Sequence, residues 1–363
     1  MRWLAHLDFR FPEDGWRDGR PCSPPGTRAL PSGGSAATLT ITGLGDSLRA
    51  LDGSSENPRG GTLAISTREL TAIVGAEILG VDLRDVSVST QEAIKSAFAR
   101  YGALVFRHQN MGDDELLDFS RTLGDLDPPP NQEHGRLSPP GYPDIYVVSN
   151  VLDTATGAPI GALGSGEAVW HTDMSYLDVP PFASMLYALE IPDTGGNTWL
   201  CSMVEAARCL PDGLRKAIAG RRIKHDGTYN SGGFLRKGVT PTDDPHKAPG
   251  AWHPSLCVHP ETGEEMLYLG RRRNSYIEGY DAEGSSKLLD ELWAYATQPK
   301  FCYEHRWRVG DLLLWDNRST MHRRDPFDNN MRRVMHRTQI KGKSAPIPAI
   351  SAAAQGGVGM TSS

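Results

Sequence analysis

Short apolar segments separated by turn residues dominate the chain from about residue 63 onwards. Apolar segments this short are typical of strands, because the helices of globular proteins are mostly longer. One turn, at 192–197, contains Pro, Asp, Gly and Asn, which favour chain reversal. We predict strands at 103–106, 144–149, 183–191, 198–201, 256–259 and 266–269, and over much of 307–340.

Helices are predicted in fewer places. Ser89 and Glu92 form a capping-box pattern, and the helix that it opens continues through Phe98 and Tyr101. Many strands with few, mostly peripheral helices predict a mainly β protein, either a sandwich or a barrel, with ligands bound between its sheets. The remaining helices are predicted at 113–123, 202–209, 212–219 and 285–297.

Composition divides the chain into three parts. Residues 1–62 are rich in Gly, Pro, Ser and Arg without a sustained hydrophobic period, which predicts a flexible, low-complexity N-terminal extension. Residues 63–345 carry the strand and helix patterns and are predicted to form one folded domain. Residues 346–363 are predicted to be a flexible C-terminal tail.

Charge and cysteine content exclude several classes of protein. The formal net charge of -6 gives no basic surface of the kind that binds nucleic acid. No apolar run is long enough for a membrane span, and the first residues lack an apolar signal region. The five cysteines form no C-x-x-C pair, which predicts reduced thiols. We therefore expect a soluble cytoplasmic protein.

A candidate metal site begins at His171-Thr172-Asp173. In an extended backbone, side chains two residues apart project to the same side, so this imidazole and carboxylate would converge. His322 could supply a second imidazole. Two histidines and one carboxylate on one face of a metal suit non-haem Fe(II) that binds O2. A lone His-x-Asp more often marks a hydrogen-bonded surface or turn, so this interpretation depends on the rest of the chain.

Two arginines follow His322. In a strand, Arg333, Met335 and Arg337 would share one face, opposite Arg332 and its alternate neighbours. Each guanidinium offers a rigid fork of donors that matches a carboxylate. A solvated basic strand edge is the alternative, and it fits Arg332 better than the two arginines beside Met335.

These residues lie in a longer pattern. The chain from about residue 63 to 343 resembles the taurine / 2,4-dichlorophenoxyacetate dioxygenase (TauD/TfdA) family of Fe(II)- and 2-oxoglutarate-dependent oxygenases. The stretches that carry the resemblance are Gly75–Leu83, Trp170–Asp173, Gly195–Thr198, His259–Gly263, Trp315–Arg318, His322 and Arg333–Arg337.

The resemblance implies a distorted double-stranded β-helix, or jelly roll. It also implies that His171, Asp173 and His322 are the iron ligands. Arg333 and the hydroxyl of Thr198 would hold the distal carboxylate of 2-oxoglutarate.

The resemblance further implies an acidic primary substrate. Arg337 and the backbone amide of Met174 would hold its acid group. The reaction expected is hydroxylation of a small organic acid, such as an aryloxyalkanoate or a sulfonate, coupled to decarboxylation of 2-oxoglutarate to succinate and CO2. Members of the family commonly form dimers or tetramers, so a homo-oligomer is expected.

Two departures argue against taurine as the substrate. Pro129 stands where the taurine enzyme has a sulfonate-binding histidine, and Glu167 stands where it has an amide. His134 could substitute, although an ordinary loop histidine is the simpler interpretation. The segments 153–167 and 226–251 are predicted to cover the site and to determine its specificity.

Other interpretations remain open from the sequence. The chain could be a catalytically silent jelly roll that binds a metal and serves as a sensor or binding module, and a zinc hydrolase is a weaker third reading. Four other histidines, His225, His246, His253 and His305, are predicted to be surface or hydrogen-bonded core residues. His259 is predicted to be structural within the hairpin, and His336 is predicted to face away from the arginine pair and to be packed or solvated.

Overall fold

The computed structural model describes residues 37–38, 65–129 and 138–349. The predicted extension 1–62 lies outside these residues except for 37–38, as do His134 and most of the predicted tail. In the described part of the chain the strands are β1 (Ala37–Thr38), β2 (Ser66–Glu69), β3 (Ala76–Leu79), β4 (Ala103–Phe106), β5 (Tyr146–Ser149), β6 (Ala162–Leu163), β7 (Ala168–His171), β8 (Ala183–Glu190), β9 (Thr198–Ser202), β10 (Arg222–Lys224), β11 (Trp252–Pro254), β12 (Leu256–Val258), β13 (Glu265–Leu267), β14 (Tyr276–Ile277), β15 (Cys302–His305), β16 (Leu312–Asp316), β17 (Thr320–Arg324), β18 (Val334–Ile340) and β19 (Ile347–Pro348). The helices are α1 (Val88–Tyr101), α2 (Asp113–Arg121), α3 (Met203–Arg208), α4 (Asp212–Ile218), α5 (Ala282–Ala296) and the 3-10 helix η1 (Pro299–Phe301).

The larger sheet has the strand order β1-β2-β3-β4-β16-β8-β18-β5-β6. Its neighbouring strands are antiparallel, except for the pairs β3–β4 and β5–β6. In the central strand β16, Leu312 and Leu314 pack on one face, while Leu313 and Trp315 pack on the other. Since both faces are apolar, the sheet has to be covered on both sides.

The second sheet covers one of these faces. Its order is β15-β9-β17-β7, and all its pairs are antiparallel. Leu200 of β9 lies in the same buried cluster as Leu313, Trp315 and Met335 of the larger sheet. Two facing, mostly antiparallel sheets confirm the predicted mainly β fold, a distorted jelly roll.

Helices cover the other face of the larger sheet. Ile94 and Phe98 of α1 and Leu116 and Phe119 of α2 join the cluster that contains Leu104 of β4. The helices are therefore peripheral, as predicted, and they stabilise the sheet by burying its outer apolar side chains.

The first helix begins earlier than predicted. Ser87 is its N-cap, and the Ser87 hydroxyl accepts a hydrogen bond of 3.1 Å from the Thr90 amide. The predicted capping box of Ser89 and Glu92 is wrong, because both residues lie inside α1. Gly102 ends the helix at φ 66°, a left-handed conformation that glycine adopts without steric cost.

The predicted hairpin is confirmed. β12 and β13 pair antiparallel, with Leu256 opposite Leu267, and Gly263 lies in the intervening turn at φ 73°. β12 also pairs with β19, so the chain is still part of a sheet beyond residue 345, where we predicted the end of the folded domain. A further sheet has the order β11-β10-β14.

Among the described helices, none has the length and apolar character that crossing a membrane requires. Cys201, Cys257 and Cys302 are free thiols, as predicted. Cys209 is disulfide-bonded, so the prediction of a reduced thiol is wrong for that residue.

Candidate active site

Two neighbouring strands and the turn after one of them bring the predicted triad together. His171 ends β7 and pairs with His322 of β17, while Asp173 lies in the turn that follows β7 rather than in the strand. Asp173 Oδ1 lies 3.5 Å from His171 Nε2 and 3.7 Å from His322 Nε2. One ligand atom from each residue lies within 4.8 Å of the others, and all three side chains are buried.

Hydrogen bonds orient the triad. His171 Nδ1 lies 2.7 Å from the Val169 carbonyl oxygen, which turns Nε2 towards the other two residues. Asp173 Oδ2 accepts a hydrogen bond of 2.8 Å from the Ser184 hydroxyl and pairs with Arg337 Nη2 at 2.5 Å. Such outer contacts fix metal ligands in position, and here they leave Asp173 Oδ1 facing both imidazoles.

The protonation states suit a metal cation. Burial lowers the pKa of His171 and lowers the pKa of His322 well below its usual value. Burial alone would raise the pKa of Asp173, but Arg337 and the two imidazoles hold it well below its usual range. Two neutral imidazoles and one carboxylate are the forms that bind a metal, and this donor set with open positions fits Fe(II).

A first cavity opens beside the triad, and we call it the cosubstrate cavity. It has about 50 Å³ of free space. Its lining includes His171, His322, Thr198, Trp315, Arg324, Arg333 and Arg337. Thr198 and Arg333, the residues predicted to hold 2-oxoglutarate, therefore line the same cavity as His171 and His322.

Arg333 lies in this cavity without a charge partner. Its side chain is only 1% exposed, and its Nε and Nη2 have no hydrogen-bond partner among the described residues. Burial, together with the neighbouring charge of Arg324, lowers the pKa of Arg333 well below its usual value. Thr198 is also buried, and its hydroxyl accepts a hydrogen bond of 3.1 Å from Trp307 Nε1. A buried guanidinium with free donors can bind a carboxylate.

Sequence reasoning missed Arg324. It follows His322 by two positions in β17, lines the cosubstrate cavity and is 7% exposed. Its Nη2 donates to the carbonyl oxygens of Leu163 and Gly166, and burial lowers its pKa to about 10. The period of two along a strand could have identified it, because residues two apart share a face.

A second cavity lies on another side of the triad, and we call it the outer cavity. It has about 40 Å³ of free space. His171, Asp173, Leu163 and Arg337 line it as well, so Arg337 contributes to both cavities. Its other lining residues are Tyr146, Met174, Asn230, Ser231, Arg236, Arg271 and Gln339.

Met174, whose amide was predicted to hold the substrate's acid group, lines the outer cavity. Its φ of 45° is left-handed, which is uncommon for a residue other than glycine and is found at functional turns. The predicted covering segments 153–167 and 226–251 supply Leu163, Asn230, Ser231 and Arg236 to the cavities. Sequence reasoning did not identify Arg236 or Arg271.

Other predicted residues lie elsewhere. Glu167 lines neither cavity, and its Oε1 lies 3.8 Å from Arg323 Nη1. Pro129 lines neither cavity either, at the edge of a described segment. His259 bonds Asp316 at 3.1 Å and so has the structural role predicted for it.

His336 faces away from the arginine pair, as predicted. Its Nδ1 lies 2.6 Å from Asp113 Oδ1 of α2. The two faces of β18 therefore have different surroundings: His336 contacts α2, whereas Met335 packs between the sheets and Arg337 lines the cavities.

Known proteins are similar to this chain in sequence and in fold. The 2,4-dichlorophenoxyacetate dioxygenase of Burkholderia sp. (strain RASC), which is α-ketoglutarate-dependent, is 32% identical over 69% of this chain and 85% of its own. The α-ketoglutarate-dependent sulfate ester dioxygenase of Pseudomonas putida is 28% identical over 77% of this chain and 91% of its own. The crystal structure of AAD-2 in complex with Mn(II) and N-oxalylglycine covers 78% of this chain and 99% of that protein, at 28% identity and a TM-score of 0.63.

The family match extends through both cavities. Residues 66–339 match the family described as taurine catabolism dioxygenase TauD, TfdA family. That range begins at β2 and ends in β18, so it contains every residue of the triad. The chain therefore belongs to the TauD/TfdA family of dioxygenases, enzymes that use Fe(II), 2-oxoglutarate and O2.

Proposed function

We propose that this 2-oxoglutarate-dependent non-haem iron dioxygenase hydroxylates a small organic acid while 2-oxoglutarate is decarboxylated to succinate and CO2. The observation that carries the proposal is the buried triad of His171, Asp173 and His322 beside a cavity that ends in an unpaired, buried Arg333. Together, bound iron and 2-oxoglutarate supply the activation of O2 that the oxidation of a C–H bond requires.

In this proposal His171, Asp173 and His322 hold the iron. The neutral imidazoles and the ionised carboxylate support the assignment, as does the hydrogen bonding that fixes His171 and Asp173. Because Asp173 would occupy the third protein-ligand position on the iron, that position is not open to a halide. This favours hydroxylation over halogenation.

Arg333 and Thr198 bind the distal carboxylate of 2-oxoglutarate. An ionised carboxylate would supply the negative counter-charge that Arg333 lacks. A buried ion pair with good hydrogen bonds is strong. The Thr198 hydroxyl can donate to the same carboxylate, since its oxygen already accepts from Trp307. Arg324, in the same cavity, adds positive charge that favours an anion.

The acid group of the primary substrate binds at Arg337 and the backbone amide of Met174. Both residues line the outer cavity next to Asp173. The relatives named for 2,4-dichlorophenoxyacetate and sulfate esters support an aryloxyalkanoate or a sulfur oxyacid as the substrate class. An acid bound there would extend its carbon chain past the triad, where a C–H bond can be oxidised.

Anaerobic spectroscopy tests the cosubstrate site. Addition of Fe(II) and 2-oxoglutarate to the protein should produce a weak visible charge-transfer band, and His171→Ala should abolish it. His246→Gln is the matched control, because His246 is exposed and lines neither cavity. If iron-loaded, folded wild-type protein shows no band, the proposal is wrong.

Turnover tests the reaction. Under O2, succinate release should rise with at least one member of a panel of aryloxyalkanoates, sulfonates and alkyl sulfates, and the product should carry an added hydroxyl. Metal binding without turnover on any acid would instead favour a silent binding module.

Two earlier expectations stay predictions. We propose a cytoplasmic location, which the free thiols of Cys201, Cys257 and Cys302 support and the disulfide of Cys209 opposes, and cell fractionation would test it. We also propose a homo-oligomer, a dimer or a tetramer, which light scattering of the purified protein would test.

A further inference from the structure

Most arginines in the described part of the chain have a carboxylate partner. Arg318 pairs with Asp316 at 2.6 Å, and Arg107 pairs with Asp311, so these guanidinium groups are neutralised by their own structure. An arginine that is buried without such a partner is costly, because desolvation of its charge is not offset. A buried arginine without a carboxylate partner therefore indicates a place where an external anion could bind.

Arg271 is such a residue. It is 5% exposed, and no carboxylate lies within ion-pair distance of it among the described residues. Its Nη1 donates to the Tyr229 carbonyl oxygen, while its Nε has no hydrogen-bond partner. Burial lowers the pKa of Arg271 to about 10, and the charge of Arg236 contributes to the shift. At neutral pH the side chain is still a cation.

Arg236 faces the same cavity from the neighbouring segment. Its Cζ lies 4.2 Å from the centroid of the Tyr176 ring, and its buried Nε has no hydrogen-bond partner. The Arg236 amide donates to the Thr228 carbonyl oxygen at 2.9 Å, which anchors the backbone that carries the guanidinium. The ring contact therefore orients a cation and does not neutralise it.

The charges around the outer cavity do not cancel. Arg337 pairs with Asp173, so that arginine is already compensated. Asp226 is the other acid near Arg271. It is buried, its Oδ1 accepts from the Thr228 amide, and it forms no ion pair with Arg271. Two cations, Arg236 and Arg271, thus face one acid, Asp226, so one positive charge is left uncompensated and could be neutralised by one bound anion.

We infer that Arg271 and Arg236 form an anion subsite of the outer cavity that binds the acid group of the primary substrate together with Arg337. The inference rests on the proposed function, which assigned that acid group to Arg337 and Met174 alone. It names the residues that make the enzyme prefer acids over neutral compounds of the same shape. A carboxylate and a sulfate share the required chemistry, since either accepts several N–H donors at once.

Binding without turnover tests the subsite. The full-length protein is loaded with Mn(II) and N-oxalylglycine, which prevents oxidation, and is titrated calorimetrically with three probes. Phenoxyacetate represents a carboxylate, hexyl sulfate represents a sulfate ester, and phenoxyacetamide is the neutral counterpart of the first. Wild-type protein should bind at least one acid about tenfold or more tightly than the amide.

Substitutions then locate the effect. Arg271→Gln should weaken acid binding about tenfold or more and leave amide binding unchanged, because it removes charge-assisted hydrogen bonds. Arg236→Gln should weaken acid binding less, since this side chain is partly exposed. Arg272→Gln is the matched control, because Arg272 is the next residue but pairs with Asp290 at 2.7 Å and lines neither cavity.

The outcomes are distinguishable. Unchanged acid binding by folded Arg271→Gln, or no binding of either acid to the wild type, overturns the inference. Arg271→Lys keeps a charge and should recover part of the affinity, which separates a charge effect from a folding defect. N-oxalylglycine binding should be the same in Arg271→Gln and the wild type. If the wild type binds acids through Arg271 but not N-oxalylglycine, the proposed function fails and the subsite stands.

Discussion

The cosubstrate cavity and the outer cavity share the triad but have different walls. The cosubstrate cavity is formed mainly by strands, with Thr198 from β9, Arg324 from β17 and Arg333 directly before β18. The outer cavity takes Met174, Arg236 and Arg271 from turns and loops. Strands paired on both sides hold side chains more rigidly than loops do, and loops vary more among relatives. In the proposed function, the strand-built cavity binds 2-oxoglutarate, which the family shares. The loop-built cavity binds the primary substrate, which differs among its members.

Arg333→Gln gives the largest expected contrast between the cavities. We expect the dissociation constant for 2-oxoglutarate to rise about a hundredfold, because a buried charged hydrogen bond contributes roughly 1.5–3 kcal/mol. Binding of acid probes to the outer cavity should change little. Anaerobic calorimetry with Mn(II) in place of Fe(II) measures both values.

The same variant has a second signature. Arg333 is buried without a charge partner, so its removal should leave the free energy of unfolding of the ligand-free protein unchanged or raise it. A large loss of stability would mean that Arg333 supports the fold and not a ligand. The melting temperature without 2-oxoglutarate decides between these roles.

Arg337→Gln should affect both cavities, since Arg337 lines both. We expect about a tenfold loss of affinity for 2-oxoglutarate and a similar loss for acid probes, because the positive charge next to Asp173 is removed. Arg337→Lys should restore part of each. An effect on one ligand only would show that the cavities are more independent than the shared wall suggests.

The smallest expected effect concerns His225, which packs against Gly270, the residue before Arg271 of the outer cavity. It is fully buried, neither ring nitrogen has a hydrogen-bond partner among the described residues, and burial lowers its pKa well below the usual value. The folded state therefore keeps His225 neutral, whereas the unfolded chain binds a proton below about pH 6.5. The free energy of unfolding should decrease by up to about 1.4 kcal/mol per pH unit as the pH falls below that value.

Thermal unfolding between pH 7.5 and 5 measures this effect. His225→Leu should have a flatter pH dependence than the wild type, and His246→Gln, which changes an exposed imidazole, should not. Equal slopes for His225→Leu and the wild type would contradict the prediction. A steeper slope in the wild type than in His225→Leu would assign this part of the acid sensitivity to His225.

The sequence predicted what depends on local spacing. Strand periods identified β4, β8 and the β12–β13 hairpin, and the residues that the resemblance named, His171, Asp173, His322 and Arg333, lie close together in the structure. Even so, Asp173 reaches the cluster from a turn and not from an extended strand. The two imidazoles are aligned because their strands pair, which no short motif encodes.

The sequence could not predict what depends on distant partners. Arg271, Arg272 and Arg273 form one run, yet the first is buried in the outer cavity while the others pair with Asp290 and Asp243. Because the three residues are of the same type, the sequence alone does not distinguish them. His225 was predicted to be a surface or hydrogen-bonded core residue, but it is buried and neither ring nitrogen has a hydrogen-bond partner among the described residues. Gly270 packs so closely against it that a β-carbon there would lie 1.9 Å from Nδ1.

The register of β18 limits how this protein can change in length. Arg333 and Arg337 lie on either side of a pairing irregularity between Val334 and Met335, where β18 pairs with β8. A single inserted or deleted residue between the two arginines would turn one of them to the opposite face of the sheet. Insertions and deletions should therefore be tolerated in 153–167 and 226–251 but not within β18. New substrates are then reached by exchanging loops around an unaltered strand.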